Sequence, residues 1–299
     1  MFFGLVCHSA FETYEKSKAE GKDHEESVID AVRHALRRTG EYKKVAQCLK
    51  CLAFRDHIDE VPKEKLFCYH CNESAFRNYE NKFVPWMSDH KNKNRFTLIR
   101  TVIWYLDHYV ESAEETVIME DGSPAVEVWF RMELPLKSPS GKAYFLTGHI
   151  DKLVRYNGSL WFRDLKTTKN TIASNFFDQF SPDNQMSQYT LGGQIVFDEP
   201  IMGGIIDAAQ IAINFTKFQR GFVDRTKAQM EEWLGDIQFW IKMAETFAAE
   251  NYWPMNDTAC HHYGGCSFRG ICNKDPSIRD QFLNSHFRRQ VWNPLKERE

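Results

Sequence analysis

The chain has no run of about 18 apolar residues, so no membrane-spanning helix is expected. Its opening, Met1-Phe-Phe-Gly-Leu-Val6, is too short and lacks the basic flank of a secretory leader, which makes a cytoplasmic location the default expectation. Net charge is also nearly missing, since 38 Lys and Arg stand against 41 Asp and Glu, a formal −3 at pH 7. Bulk electrostatics therefore neither requires nor excludes a nucleic-acid partner, and any binding patch has to be local. No internal repeat or low-complexity tract interrupts the 299 residues. A hydrophobic content of 42% over that length is enough for one large domain or two small ones.

Cysteine is well supplied. Without an export signal, clustered cysteines are read as metal ligands before disulfides. Cys48-Leu-Lys-Cys51 and Cys68-Tyr-His-Cys71 are separated by 16 residues. That spacing suits a closed tetrahedral shell of four thiolates around a structural Zn2+. His57 and His70 lie nearby but are not needed for the shell. Residues 42–75 then form a small zinc-stapled insertion, a possible contact surface for DNA or protein. Cys260, Cys266 and Cys272 are spaced by five residues with glycines between, which suits an iron–sulfur cluster or a second zinc. A cubane wants a fourth cysteine, and only Cys7 is left; His261 or His262 is the alternative for zinc.

The densest chemistry lies in residues 148–166. Apolar runs lead up to Asp151 and to Asp164, and Tyr156-Asn157-Gly158-Ser159 between them is a two-residue hairpin signal. Carboxylates on central strands are costly unless a cation meets them. Two acids followed by Lys166 make the donor set of a divalent-metal phosphodiesterase site.

Around this hairpin the period changes several times. Helices are expected over 4–20 (apolar side Leu5, Val6, Ala10, Phe11 and Tyr14), 25–38 (Val28, Ile29, Val32, Ala35 and Leu36) and 94–113 (Phe96, Ile99, Val102, Ile103, Leu106, Tyr109 and Val110). His8 alone reads as an ordinary core or surface histidine. Strands follow from 116, with Glu127 and Glu133 on the polar side of one that alternates from Ala125 to Leu136. Three consecutive antiparallel strands would then carry Asp151 and Asp164 on adjacent members. A loop with Phe176, Phe177 and Phe180, suited to base stacking or to core packing, precedes a helix capped by Asp183 that carries Gln185 and Tyr189 on one face. Gly192 and Gly193 suggest that this helix packs closely on the sheet. Strands at 205–215 and 217–223 and a helix over 226–251, with core positions that include Trp233 and Trp240, complete the pattern. Arg288, Arg289, Lys296 and Arg298 form a solvated basic tail.

In their order, these motifs resemble the PD-(D/E)XK nucleases of the RecB exonuclease type, a group that includes CRISPR-adaptation and phage enzymes. Gly4-Leu-Val-Cys-His8 with Glu12 looks like the first motif, Glu127 like the acid of the first core strand, and Gly148-His-Ile-Asp151 like G-x-x-D. Asp164-Leu-Lys166-Thr167-Thr168 looks like D-x-K-T, and Gln185 to Tyr189 like Q-x-x-x-Y. The resemblance implies an α/β restriction-endonuclease-like core, a mixed sheet flanked by helices, formed by residues 1–41 and 76–299. It implies that His8, Asp151, Asp164 and the carbonyl of Leu165 bind Mg2+ or Mn2+, that Glu127 is an accessory acid, that Lys166 is catalytic, and that Gln185 and Tyr189 position DNA. Residues 260–272 look like the last three ligands of the family's four-cysteine [4Fe-4S] staple. In relatives the first of the four precedes the motif-one histidine, whereas Cys7 adjoins His8 and a helix turns neighbours about 100° apart. A chain that starts late relative to its family is the alternative to a Cys7 ligand.

The implied activity is DNA hydrolysis, exonuclease-type, on single-stranded or free ends, in recombination, repair or phage DNA processing, with a helicase or recombination partner possible. The rivals are a catalytically silent DNA-binding or scaffold module and an RNA-directed nuclease.

Overall fold

A computed structural model describes residues 2–55, 67–68, 70–86, 88 and 90–290. His57, Lys296 and Arg298 lie outside the described residues. The chain divides into two compact units, Met1–Phe130 with Gly148–Arg225, and Arg131–Thr147 with Thr226–Glu299.

The first unit opens with α1 (Phe2–Ala19) and α2 (His24–Arg38). Asp23 and Glu26 form a reciprocal capping box at the start of α2, satisfying amides that the first helical turn leaves unpaired. A three-stranded antiparallel sheet follows, with order β2-β1-β3 from β1 (Gly40–Cys48), β2 (Phe54–Arg55) and β3 (Phe76–Pro85). α3 (Arg95–His108) begins at a second capping box, Asn94 with Thr97.

α3 is shorter than the expected 94–113, and its buried face is rotated from the expected one. Leu98, Val102, Tyr105 and Leu106 are buried, whereas Phe96 is 89% exposed. The register follows from two threonines that hide their hydroxyls against the helix. Thr97 bonds back to Asn92 O, and Thr101 to Thr97 O. Leu5 and Ile29 likewise face out, leaving Phe3, Val6, Cys7, Ala10, Ala31 and Ala35 to pack with α3, Leu165, Ala209 and Ile211.

The main sheet has six strands among the described residues. They are β4 (Glu115–Thr116), β5 (Val126–Lys137), β6 (Ala143–Tyr156), β7 (Ser159–Thr168), β8 (Ile201–Ile211) and β9 (Thr216–Asp224). Their order is β4-β6-β7-β8-β9, with β5 also pairing β6. β7 runs parallel to β8, and the β4–β6, β6–β7 and β8–β9 pairs are antiparallel, so the sheet is mixed. Tyr156 pairs with Ser159 across Asn157 (φ 49°) and Gly158 (φ 75°), the double left-handed turn that matches strand twist.

α4 (Asn184–Phe197) covers the strands that carry the two aspartates, and Asp183 caps it by accepting from the amides of Gln185 and Met186. Gly192 makes this close approach possible, because a Cβ there would lie 2.5 Å from the Phe130 ring. The phenylalanines before α4 pack on one another, with Phe180 buried in the core and Phe177 against Gly221.

In the second unit α5 (Lys227–Ala249) starts at a Thr226–Gln229 capping box, followed by α6 (Arg269–Cys272) and α7 (Pro276–His286). Met230 and Trp233 are buried as expected, but Trp240, expected in the core, is 65% exposed.

Candidate active site

β6 and β7 separate beyond the Lys152–Arg163 pair, and the acids sit where they part. Asp151 is on β6, and Asp164 and Lys166 are on β7. The α4 face of β7 holds Phe162, whose ring meets Tyr189 edge-on at 5.5 Å. α1 brings His8 across, placing Nδ1 3.0 Å from Asp151 Oδ2. A ligand atom from each of His8, Glu127 and Asp151 lies within 4.8 Å of the others. Asp164 stands beside this group with both carboxylate oxygens on Lys166 Nζ, at 3.0 and 2.9 Å. Lys166 also donates to Gln185 Oε1 at 2.6 Å, and Gln185 Nε2 donates to Tyr189 OH at 3.0 Å. Gln185 and Tyr189, expected to position nucleic acid, thus form a chain of hydrogen bonds that ends on the lysine.

Leu165, between the acid and the lysine, turns its side chain into the helical core. Glu127 has φ 49°, although it lies inside a strand. A left-handed backbone is sterically costly for a residue with a Cβ, and such outliers concentrate at functional sites.

The electrostatics show a surplus of negative charge. Burial pulls His8 down, but the charges of Asp151, Asp164 and Glu127 outweigh it and lift the imidazole to about 9. Burial and the neighbouring Asp151 push Asp164 up to about 7, against the pull of Lys166. Burial raises Asp151 as well, but His8 more than offsets this and leaves it below the ordinary carboxylate range. Neither Asp151 Oδ2 nor Asp164 Oδ2 accepts a well-aligned hydrogen bond, despite the nearby His8 and Lys166 nitrogens. An imidazole nitrogen and converging carboxylates in acid excess fit a divalent cation, and the nitrogen favours a transition ion such as Mn2+ over Mg2+.

Cys48, Cys51, Cys68 and Cys71 also converge within 4.8 Å. Their two C-x-x-C loops repeat one geometry. Cys48 N donates to Ala53 O and Cys68 N to Glu73 O, at 2.9 and 2.8 Å. Leu52 N donates to Cys48 O and Asn72 N to Cys68 O, with Leu52 and Asn72 both left-handed at φ 62° and 59°. The paired sulfurs are 3.5 Å apart for Cys48–Cys71 and 3.3 Å for Cys51–Cys68. Burial pushes the Cys68 thiol up, but the amides of His70 and Cys71 and the Cys51 thiol bring it down to about 6. Four thiols in two matching loops fit a closed metal shell.

The tail cysteines are arranged differently. Among the described residues Cys260, Cys266 and Cys272 do not gather within 4.8 Å. Cys7, considered as their fourth partner, is wholly buried in the apolar core of the first unit, where burial raises its thiol to about 12. The one-residue offset on α1 turns His8 to the acids and Cys7 away from them.

Sequence reasoning missed a second charged cluster on the same strand. Arg163, next to Asp164, pairs with Asp207 of β8 at 2.6 Å and Glu114 at 2.7 Å, and Arg220 of β9 reaches the same two acids at 2.6 and 2.9 Å. Its signal was present as single charges inside the apolar runs Trp161-Phe-Arg163 and Ile205-Ile-Asp207.

Compared with known proteins, the family model described as the PD-(D/E)XK nuclease superfamily matches residues 2–273. No curated protein matches the chain. The crystal structure of SSO0001 aligns with 48% of this chain at 14% identity and a TM-score of 0.26, too slight a likeness to carry an argument. The chain spans 61% of that structure's length.

Proposed function

The chain belongs to the PD-(D/E)XK nuclease superfamily, and from that premise we propose that it is a Mg2+- or Mn2+-dependent DNA exonuclease acting on single-stranded or free ends. Nucleases of this superfamily take nucleic acid as substrate and generally use divalent metals. The observation that carries the finer reading is the convergence of His8, Glu127 and Asp151 beside an Asp164–Lys166 pair. In this reading His8, Asp151, Asp164 and the Leu165 carbonyl hold the ion, with Glu127 as the accessory acid. A bound divalent ion supplies Lewis-acid polarisation of the scissile phosphate and eases deprotonation of the attacking water.

The rest of the work falls to the chain. Lys166, tethered by Asp164 and Gln185, is fixed to orient that water or to offset charge developing on phosphorus. Tyr189 holds Gln185 in place and thereby steadies the lysine. The four-cysteine loops take a structural Zn2+, with no open ligand position for catalysis. A role in recombination, repair or phage DNA processing accords with an end-directed nuclease.

The test is single-stranded DNA and the matching RNA, each with Mn2+, for the wild type and Lys166→Ala. The variant is expected to lose about 10²–10³-fold in cleavage rate, the scale of removing one charge-stabilising donor. Undiminished cleavage by the variant would sink the assignment. RNA cut faster than DNA would redirect it, and no cleavage by the wild type would favour a silent binding module.

A further inference from the structure

The cations around the acids are mostly paired. Lys166 meets Asp164, Lys152 meets Glu15, and Arg163 meets Glu114 and Asp207. A polyanionic strand that approaches the acid-rich site is repelled unless another positive charge holds it nearby. Lys93 supplies such a charge. Its Nζ donates to Thr167 O and to Thr167 Oγ1, both at 3.0 Å. Thr167 is the residue after Lys166, at the end of β7 where β6 has already parted from it. Among the described residues no carboxylate meets this ammonium. Burial and the repulsion of Lys169, an exposed lysine close by, weaken its hold on its proton.

The turn that carries Lys93 is fixed by side chains. His90 Nδ1 accepts from the amides of Asn92 and Lys93 at 3.2 and 3.1 Å, and Asn92 Nδ2 donates to Ile211 O at 3.0 Å. The buried Phe3 ring lies 5.7 Å from Lys93 Nζ, a weak cation–π contact on one side of it. An ammonium has three N–H groups, and Thr167 takes two of them. Tying this turn to β7 needs only a neutral donor, and half-burying an unpaired charge for that purpose alone is costly. The remaining N–H, the lack of an acid and the fixed turn suit a partner that brings its own negative charge. Thr167 lies three residues past Asp164, about 10 Å along an extended strand, so that partner sits beside whatever occupies the acids.

We propose that Lys93, with Lys169 beside it, holds a phosphate of the substrate strand that flanks the scissile one, so that the strand runs from the acids along the end of β7. The inference rests on the nuclease reading above. Lys93 touches no reacting atom. It is a positioning residue, and its charge counters the repulsion that the acid surplus exerts on the strand.

The test follows cleavage of a single-stranded oligodeoxynucleotide with Mn2+ over a range of salt, for the wild type, Lys93→Gln, Lys93→Arg and Lys169→Gln. Glutamine keeps a neutral donor for Thr167, so the charge alone is removed. Loss of one phosphate contact lowers the slope of log(kcat/KM) against log salt by about 0.7 for a single strand. Lys93→Gln is expected to show that drop and a KM raised about tenfold, with a smaller change in kcat. Lys93→Arg keeps the wild-type slope, and Lys169→Gln loses part of it. A Lys93→Gln protein that melts normally with slope and KM unchanged, or with kcat alone reduced, overturns the proposal and leaves the nuclease reading standing. Should Lys93→Gln not fold, an unchanged slope in Lys169→Gln overturns it. A wild type that cuts nothing overturns the nuclease reading, and anisotropy of the intact oligonucleotide then gives the salt slopes of binding directly. A lower slope in Lys93→Gln upholds the phosphate contact in that case, and equal slopes overturn it as well.

Discussion

Asp164 and Arg163 are neighbours on β7 and face opposite ways, and each anchors a buried charged cluster. On the Arg163 side two acids, Glu114 and Asp207, meet two guanidinium groups. Every carboxylate oxygen there has a guanidinium nitrogen within 3.1 Å, and Tyr105 adds a hydroxyl to Asp207 at 2.7 Å. On the Asp164 side three acids, Glu127, Asp151 and Asp164, share His8 and Lys166. The consequence shows in Asp207 and Asp164. Burial raises both, but Arg163 and Arg220 bring Asp207 below the ordinary range, whereas Asp151 helps push Asp164 up to about 7. In the first cluster acids and guanidinium groups are equal in number, although Glu114 Oε1 and Arg163 Nη2 lack an aligned hydrogen-bond partner. The acid-rich one has the donor set to take a further cation, and that imbalance, more than burial, separates a candidate site from a strut.

The largest effect expected from this contrast is on stability. Asp207→Ala leaves two buried guanidinium groups with Glu114 as their one shared acid and should cost about 3–5 kcal/mol by urea denaturation. Asp164→Asn removes one acid from a surplus and should cost the metal-free protein nothing at pH 8, while abolishing cleavage. Equal destabilisation by the two variants would break the comparison.

The next effect is the response to metal. Saturating Mn2+ should stabilise the wild type by about 2.7 kcal/mol at a hundredfold excess over its dissociation constant, a linkage that requires no activity. Thermal melts should show that gain lost in Asp151→Asn. A gain that survives in Asp151→Asn would place the ion elsewhere.

The two clusters should also respond to pH with opposite signs. Asp164 and His8 are both raised in the fold, so their contributions are complete below their unfolded values. They are lost as pH climbs, through about 7 for Asp164 and about 9 for His8. Asp207 is lowered, so its contribution is present above its unfolded value and lost as pH falls through the depressed one. In EDTA the melting temperature should therefore decline between pH 6 and pH 9, by about 2–4 °C for each kcal/mol lost. Asp164→Asn should flatten the part of that decline below about pH 7. An unchanged slope there in this variant would mean that Asp164 is not what titrates.

How much of this was legible in the sequence depends on whether a feature is local. The hairpin, the Asp183 cap and the turn of each C-x-x-C loop are set by contacts a few residues apart, and their residue types announce them. The place of His8 could be read only through the order of motifs, because nothing local to α1 sets it against β6. The face of α3 was misread at Phe96, since apolar periodicity gave no weight to threonines that bury their own hydroxyls. The Arg163 cluster went unread because it joins Glu114, Asp207 and Arg220 from three separate stretches of chain, and sheet order alone brings them together. Trp240 shows the converse, a residue type that suggests burial at a position the fold leaves exposed.

The smallest effect concerns the backbone. The other non-glycine residues with left-handed φ among those described are Leu52 and Asn72 in the cysteine loops, Asn157 in the hairpin turn, Asp198 at the end of α4 and Asn251 just beyond α5. Glu127 alone lies within a strand, and none of the Arg163 cluster shares this conformation. A left-handed conformation costs an L-residue about 1–2 kcal/mol, while glycine adopts it freely but loses about 0.5–1 kcal/mol more chain entropy on folding. Glu127→Gly should therefore gain roughly 0.5–1 kcal/mol in EDTA, with relief of acid repulsion acting in the same direction. The same variant should gain less from Mn2+ than the wild type, because the strained position is also one of the three whose ligand atoms converge. Denaturant melts with and without Mn2+ separate the two effects. A variant less stable in EDTA would mean that the Glu127 side chain supports the fold by more than its backbone strains it, and that strain and acid surplus are not features of the same site.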